Sequence, residues 1–181
     1  MPPISFKVKK ISEMDLNKYI LYRARAKQIC EPWAEKIASA GSVDELLQMY
    51  VAGIDFCLAK NFPSNNDLIT LGGELINQYG IYVDSVKKLQ DRSFVVALGA
   101  SNIDLSLSGY SVSQVYAKHS SIIRVSSVDN SFVVLDCFDS AKVEMHVDGN
   151  SKALVNVYGN ADVKTSGSGI IKVVNKLKET Y

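Results

Sequence analysis

The sequence predicts an α+β protein in which an N-terminal helical domain, residues 1–88, is followed by a short β-solenoid, residues 89–181, with a C-terminal cap. Three observations carry that expectation. Apolar residues recur at helical spacing up to about Tyr79, the period falls to 2 after Gly80, and a 20-residue repeat runs four times beyond Gln90. The 181 residues are 47% hydrophobic and 22% charged, which suits one or two compact domains and excludes a disordered tail or a minimal disulfide scaffold.

The helices are read from their ends. Ser12 with Asp15 resembles a capping box, because a hydroxyl there accepts a backbone N–H that the first turn leaves unpaired. Met14, Ile20, Leu21, Ala24 and Ile29 then form an interior stripe. Pro32 suits the first turn of a second helix that carries Trp33 and Ile37 and stops at Gly41. Ser42 and Glu45 open a third, running through Leu46, Leu47, Met49, Tyr50, Ile54 and Leu58. NFPSN at 61–65 is a break. Ser64 and Asp67 start a last helix through Leu68, Leu71, Leu75, Ile76 and Tyr79, with Gly80 just past its end. The glycine pair between Leu71 and Glu74 lies inside this helical pattern and points to close packing.

The repeats are 91–110, 111–130, 131–150 and 151–170. Aligned without gaps, their apolar columns read Val95, Val115, Leu135, Val155 and Ala97, Ala117, Cys137, Val157 in a first strand. A second strand gives Ile103, Ile123, Val143, Val163 and Leu105, Val125, Met145, Thr165. Both alternate with period 2, as strands with one face inward do. Turn clusters separate them, among them HSS at 119, DNS at 129, DSA at 139 and DGNS at 148. An antiparallel meander or sandwich gives similar alternation. The outward column Asp104, Arg124, Glu144, Lys164 favours the solenoid, because stacking in register sets each charge beside opposite ones.

The outward positions of the second strand are polar, whereas those of the first are largely apolar and call for a cover. Phe94, Tyr116, Phe132, Val134, Phe138, Leu154 and Tyr158 are the candidate interface residues. Three occupants suit that face: the chain's own helices or tail, a second subunit, or a small molecule. Residues 81–89 and the final IIKVVNKLKETY are expected to cap the two open ends of the stack.

Chemistry-bearing residues are sparse. His119 falls in a turn, and His146 shares the polar strand face with Glu144 and Asp148, where solvation explains it more simply than acid–base work. Cys137 stands in an inward column and reads as a core thiol. Asp129, Asp139 and Asp148 read as turn residues, since the nonapeptide pattern of calcium solenoids is absent. No catalytic, cofactor-binding or metal residue is assigned, and no cofactor is expected. A formal charge of +1 gives no electrostatic reason to expect nucleic acid or a membrane as partner. Cys30, Cys57 and Cys137 suit reduced thiols in a chain that is cytoplasmic at synthesis, a reading compatible with association with a virion. The expected function is that of a non-enzymatic structural or interaction protein, a homo-oligomer with a protein partner. The alternative is a carbohydrate-binding or carbohydrate-active solenoid with Tyr116, Phe138 and Tyr158 as its aromatic row.

NFPSNNDL, YGIYVD and the rungs SAKVEMHVDGNSKALVNVYGNADV carry a resemblance, over about residues 55–170, to small phage and prophage proteins of gut bacteria. The rungs are also similar to the short β-solenoid modules of phage fibres. That resemblance implies an assembling, oligomeric protein and brings no catalytic motif with it. Long fibres have many more rungs and often a knob domain, which this chain lacks.

Overall fold

The structure, a computed structural model, describes the backbone from Glu13 and the side chains from Leu16 through Tyr181. The expected cap of Ser12 with Asp15 and the side chain of Met14 lie outside the described residues. Helix α1 (Glu13–Ala26) buries Leu16, Ile20 and Ala24, a stripe at i, i+4, i+8. Helix α2 (Glu31–Ser39) takes Pro32 in its first turn, where a missing N–H costs no hydrogen bond. Helix α3 (Val43–Ala52) begins at Ser42, whose hydroxyl accepts the Glu45 N–H at 3.2 Å, while the Glu45 carboxylate accepts from Gly41 N–H at 2.9 Å.

Two of the expected helices are interrupted. The third ends at Gly53, and α4 (Ile54–Lys60) follows as a separate helix that stops on Asn61 in the left-handed region. Ser64 and Asp67 make a complete capping box for the single turn α5 (Asn65–Asp67). The chain then widens into a π-turn over Leu68–Gly72, breaks at Gly73 and resumes as α6 (Leu75–Gln78). The glycine pair explains the break. A Cβ on Gly72 would stand 2.4 Å from Ile76 Cγ2, and Gly73 has φ +52°, a conformation that residues with a side chain rarely adopt.

From Ile81 onward the chain is a parallel β-solenoid of two sheets. Strands β1 (Ile81–Val83), β3 (Phe94–Leu98), β5 (Val112–Ala117), β7 (Phe132–Cys137), β9 (Lys152–Val157) and β11 (Ile170–Asn175) form one sheet. Strands β2 (Val86–Gln90), β4 (Asn102–Leu107), β6 (Ile122–Ser127), β8 (Lys142–Val147) and β10 (Asp162–Ser166) form the other. Every pairing is parallel, which removes the antiparallel meander. The register is the expected one: Val95, Val115, Leu135 and Val155 are ladder neighbours, as are Ile103, Ile123, Val143 and Val163.

The two segments expected to cap the stack extend it instead. Ile81 pairs with Val96 and Val86 with Asn102, so the solenoid begins before residue 89. Ile170 pairs with Lys152 and adds a last strand. These offsets of 15, 16 and 18 residues depart from the interior rungs' 20, because the connecting corners are shorter there.

The corners repeat every ten residues. Gly99, Gly109, His119, Asp129, Asp139, Gly149 and Gly159 all have φ between +58° and +69°, and each turns the chain from one sheet to the other. Two residues later a small side chain points inward: Ser101, Ser121, Ser131, Ala141 and Ser151 are at most 1% exposed. The Ser101 and Ser131 hydroxyls donate to the carbonyls of Leu98 at 2.7 Å and Val128 at 2.8 Å, which closes the bend from within.

The core between the sheets is a stack of the predicted columns, and Leu135 and Val155 at its centre are 0% exposed. Leu135→Asp or Val155→Asp buries a carboxylate with no partner, at a cost of several kcal/mol in a fold stabilised by about 5 to 15 kcal/mol. Circular dichroism against temperature should show the cooperative transition lost in both variants. A native transition would contradict the register.

Candidate functional site

The outer face of the six-stranded sheet is divided along the length of its strands. At the strand ends Val96, Leu98, Tyr116, Phe138 and Tyr158 lie beneath Leu47 and Tyr50 of α3 and Ile54, Cys57 and Leu58 of α4. Phe138 and Tyr158 occupy the same position in successive rungs and stack with ring centroids 4.6 Å apart. Tyr181 packs edge-on to both, at 5.1 and 5.3 Å, and its hydroxyl donates to Asp136. Burial and that carboxylate hold the Tyr181 phenol protonated far above its ordinary range. The Lys118 ammonium lies 5.3 Å from the Phe138 ring centre and 3.2 Å from Asp139.

At the strand starts the same face is open. Val112 is 63% exposed, Phe132 39% and Ile170 63%, and Val134 and Leu154 are half-buried beside them. Register places Val112, Phe132, Lys152 and Ile170 in one row and Gln114, Val134, Leu154 and Lys172 in the next. The seven candidate interface residues therefore separate. Tyr116, Phe138 and Tyr158 are packed inside the chain, Phe94 is half-buried against Tyr116 with centroids 5.7 Å apart, and Phe132, Val134 and Leu154 belong to the open strip.

The five-stranded sheet is solvated. Its charge ladder is one member longer than the repeat alone indicates, because β2 adds Lys88 beside Asp104. Arg124 sits 3.3 Å from Asp104 and 3.2 Å from Glu144, so both carboxylates are engaged by the same guanidinium. His146 bonds Asp148 at 2.8 Å through Nε2 and Ser166 at 2.9 Å through Nδ1. The Ser168 amide and hydroxyl, with His146, hold the Asp148 carboxyl below the ordinary carboxylate range.

The corner side chains do structural work that the spacing of HSS, DNS and DSA did not reveal. Gly99 N–H donates to His119 Nδ1 at 3.0 Å, Gly109 N–H to Asp129 at 2.9 Å, and His119 N–H to Asp139 at 3.1 Å. In each case a left-handed residue uses its side chain to hold the equivalent amide one rung earlier. The signal was present as His and Asp at ten-residue spacing, the short polar residues that best tolerate this backbone. Cys137 and Cys57 are buried, and burial pushes both thiols up to about 12, so neither is a thiolate near neutrality. Among the described residues there is no group of three or more His, Cys, Asp or Glu placed to hold a metal ion, and no helix long and apolar enough to cross a membrane.

A cavity of about 800 Å³ opens where α2, α3 and α4 meet the start of the six-stranded sheet. Trp33, Tyr50, Phe56, Phe62, Phe94 and Tyr116 line it. It arises between helices and sheet, from residues up to 96 positions apart, Ile20 to Tyr116, which is why no local pattern announced it. Comparison with protein-family models, with curated proteins and with solved structures finds no match to this chain.

His119 supplies a pH test of the corners. Burial, and then Lys118, depress its pKa below the usual 6.5, and its Nδ1 accepts a hydrogen bond that requires the neutral ring. The folded ring takes up a proton less readily than the unfolded one, so stability is full above pH 6.5 and declines as the pH falls below it. Melting temperature should drop between about pH 7 and about pH 5, and His119→Asn should flatten the slope. An unchanged slope would remove His119 from the corner relay.

Proposed function

We propose that this chain is a non-enzymatic assembly protein, of the phage type its rungs resemble, that acts through protein–protein contact and pairs with a second copy through the open strip. The reading rests on the self-complementarity of the two exposed rows. A two-fold axis parallel to the strands, passing between Phe132 and Lys152, reverses the order of the rungs and leaves positions along each strand unchanged. It sets Val112 against Ile170 of the second copy, Phe132 against Lys152, Val134 against Leu154 and Gln114 against Lys172. Apolar groups meet apolar groups, polar groups meet polar groups, and the central pair places an ammonium on an aromatic face.

The strip is small beside a permanent interface, and the pairing is reversible on this reading. The helices leave this half of the sheet uncovered, whereas with Tyr181 they bury Val96, Leu98, Tyr116, Phe138 and Tyr158 in the other half. That contrast supports a contact at the strand starts over one at the strand ends.

Light scattering coupled to size exclusion at two concentrations should give a mass moving toward twice that of one chain as concentration rises. Phe132→Lys sets like charges together at both symmetric positions and should give a single-chain mass throughout, with the melting temperature within about 2 °C of the native chain because Phe132 is partly exposed. A single-chain mass for the native protein at both concentrations would overturn the pairing.

A further inference from the structure

The geometry points to the cavity beneath α2, α3 and α4 as a binding site for a small lipophilic cation, an amine or quaternary ammonium carrying an apolar tail. Its volume of about 800 Å³ falls in the range of small-molecule sites, and its lining is predominantly apolar and aromatic. The charged groups in that lining are Asp55 and Asp67 alone, with no lysine, arginine or histidine. Asp67 is already matched. Burial by itself would raise its pKa, but Ser64, Tyr19 and Arg23 more than offset this and hold the carboxyl below its ordinary range, with Arg23 at 3.0 Å.

Asp55 is different. It is exposed at the first turn of α4 and makes no ion pair among the described residues. Its charge reaches inward: after burial itself, Asp136 and Asp55 are what raise the Tyr116 phenol, to about 12. Trp33 already accepts a cation, with the Lys36 ammonium 4.8 Å from its ring centre. An aromatic chamber with one unmatched carboxylate and no basic residue in its lining, Arg23 being paired to Asp67 and Lys36 resting on Trp33 from outside it, favours a cation, accepts a neutral tail and repels a fatty carboxylate. Gln114, whose amide donates to the Tyr116 hydroxyl, borders both this chamber and the pairing strip.

The chain's one tryptophan lines the cavity, so its fluorescence reports occupancy directly. Decyltrimethylammonium, decanol and decanoate are titrated separately, each below its micelle-forming concentration, into the native chain and into Phe132→Lys so that pairing is read apart from binding. The cation should bind saturably and about 10-fold more tightly than decanoate, with decanol between them. Asp55→Asn should bring the cation down to the level of decanol and leave decanol itself unchanged. Asp162→Asn, on the solvated sheet, should leave all three affinities as they are. Equal binding of decanoate, no saturable change in fluorescence, or a cation preference that survives in Asp55→Asn would overturn the site.

Discussion

Stacking at a fixed rise is the constraint on which this structure depends. Each strand sits about 4.8 Å from the equivalent strand of the next rung, so a residue at one position has a near-identical neighbour above and below. Two strands and two left-handed corners must then add up to the same 20 residues in every interior rung. The corners enforce this. A left-handed residue every ten positions turns the chain, a buried small residue follows it, and in three corners a side chain ties the turn to the rung before it. The inward columns, the stacked Phe138 and Tyr158, and the charged row all inherit their geometry from that arithmetic.

The same constraint explains what was legible in the sequence. The interior rungs repeat without gaps, so Val95, Leu135 and their column neighbours could be aligned directly. Residues 81–90 could not, because their corner is shorter and their offsets of 15 and 16 residues break the repeat, although Ile81 and Tyr82 pack as solenoid strands. The helices were legible at Ser42 and Ser64, where capping is local chemistry. They were less so at Gly53 and Gly73, where packing decides between one helix and two. The apolar outer face was visible as a pattern of Phe94, Tyr116, Phe138 and Tyr158. Which half of it the helices cover depends on contacts from Leu47 to Tyr158, far beyond any local period.

The helical layer and the solenoid therefore divide the labour. The solenoid supplies a rigid surface whose residues stand at fixed spacing, and the helices close one half of it while leaving an aromatic chamber at the boundary. Among the described residues, several chemistry-bearing side chains are taken up by the fold itself, although the Cys30 thiol is exposed. Asp129, Asp139 and His119 are engaged in corners, and Cys57 and Cys137 are sealed in cores. An open strip of mixed apolar and polar side chains and an aromatic cavity remain, the kinds of surface on which the proposed contacts rest.

The charge ladder on the solvated sheet has a parity. It reads Lys88, Asp104, Arg124, Glu144, Lys164, an odd number of alternating members, so both ends of the stack present the same sign. Open-ended solenoids are prone to grow by adding another molecule's edge strand to their own. Here β2 and β10 are the edges, and head-to-tail addition would bring Lys164 against Lys88 where every internal step joins opposite charges. The row that knits the rungs together inside one molecule thus discourages the next molecule from continuing it. An added rung bearing a carboxylate in that column would make the number even, give the stack a positive and a negative end, and favour filaments over closed pairs.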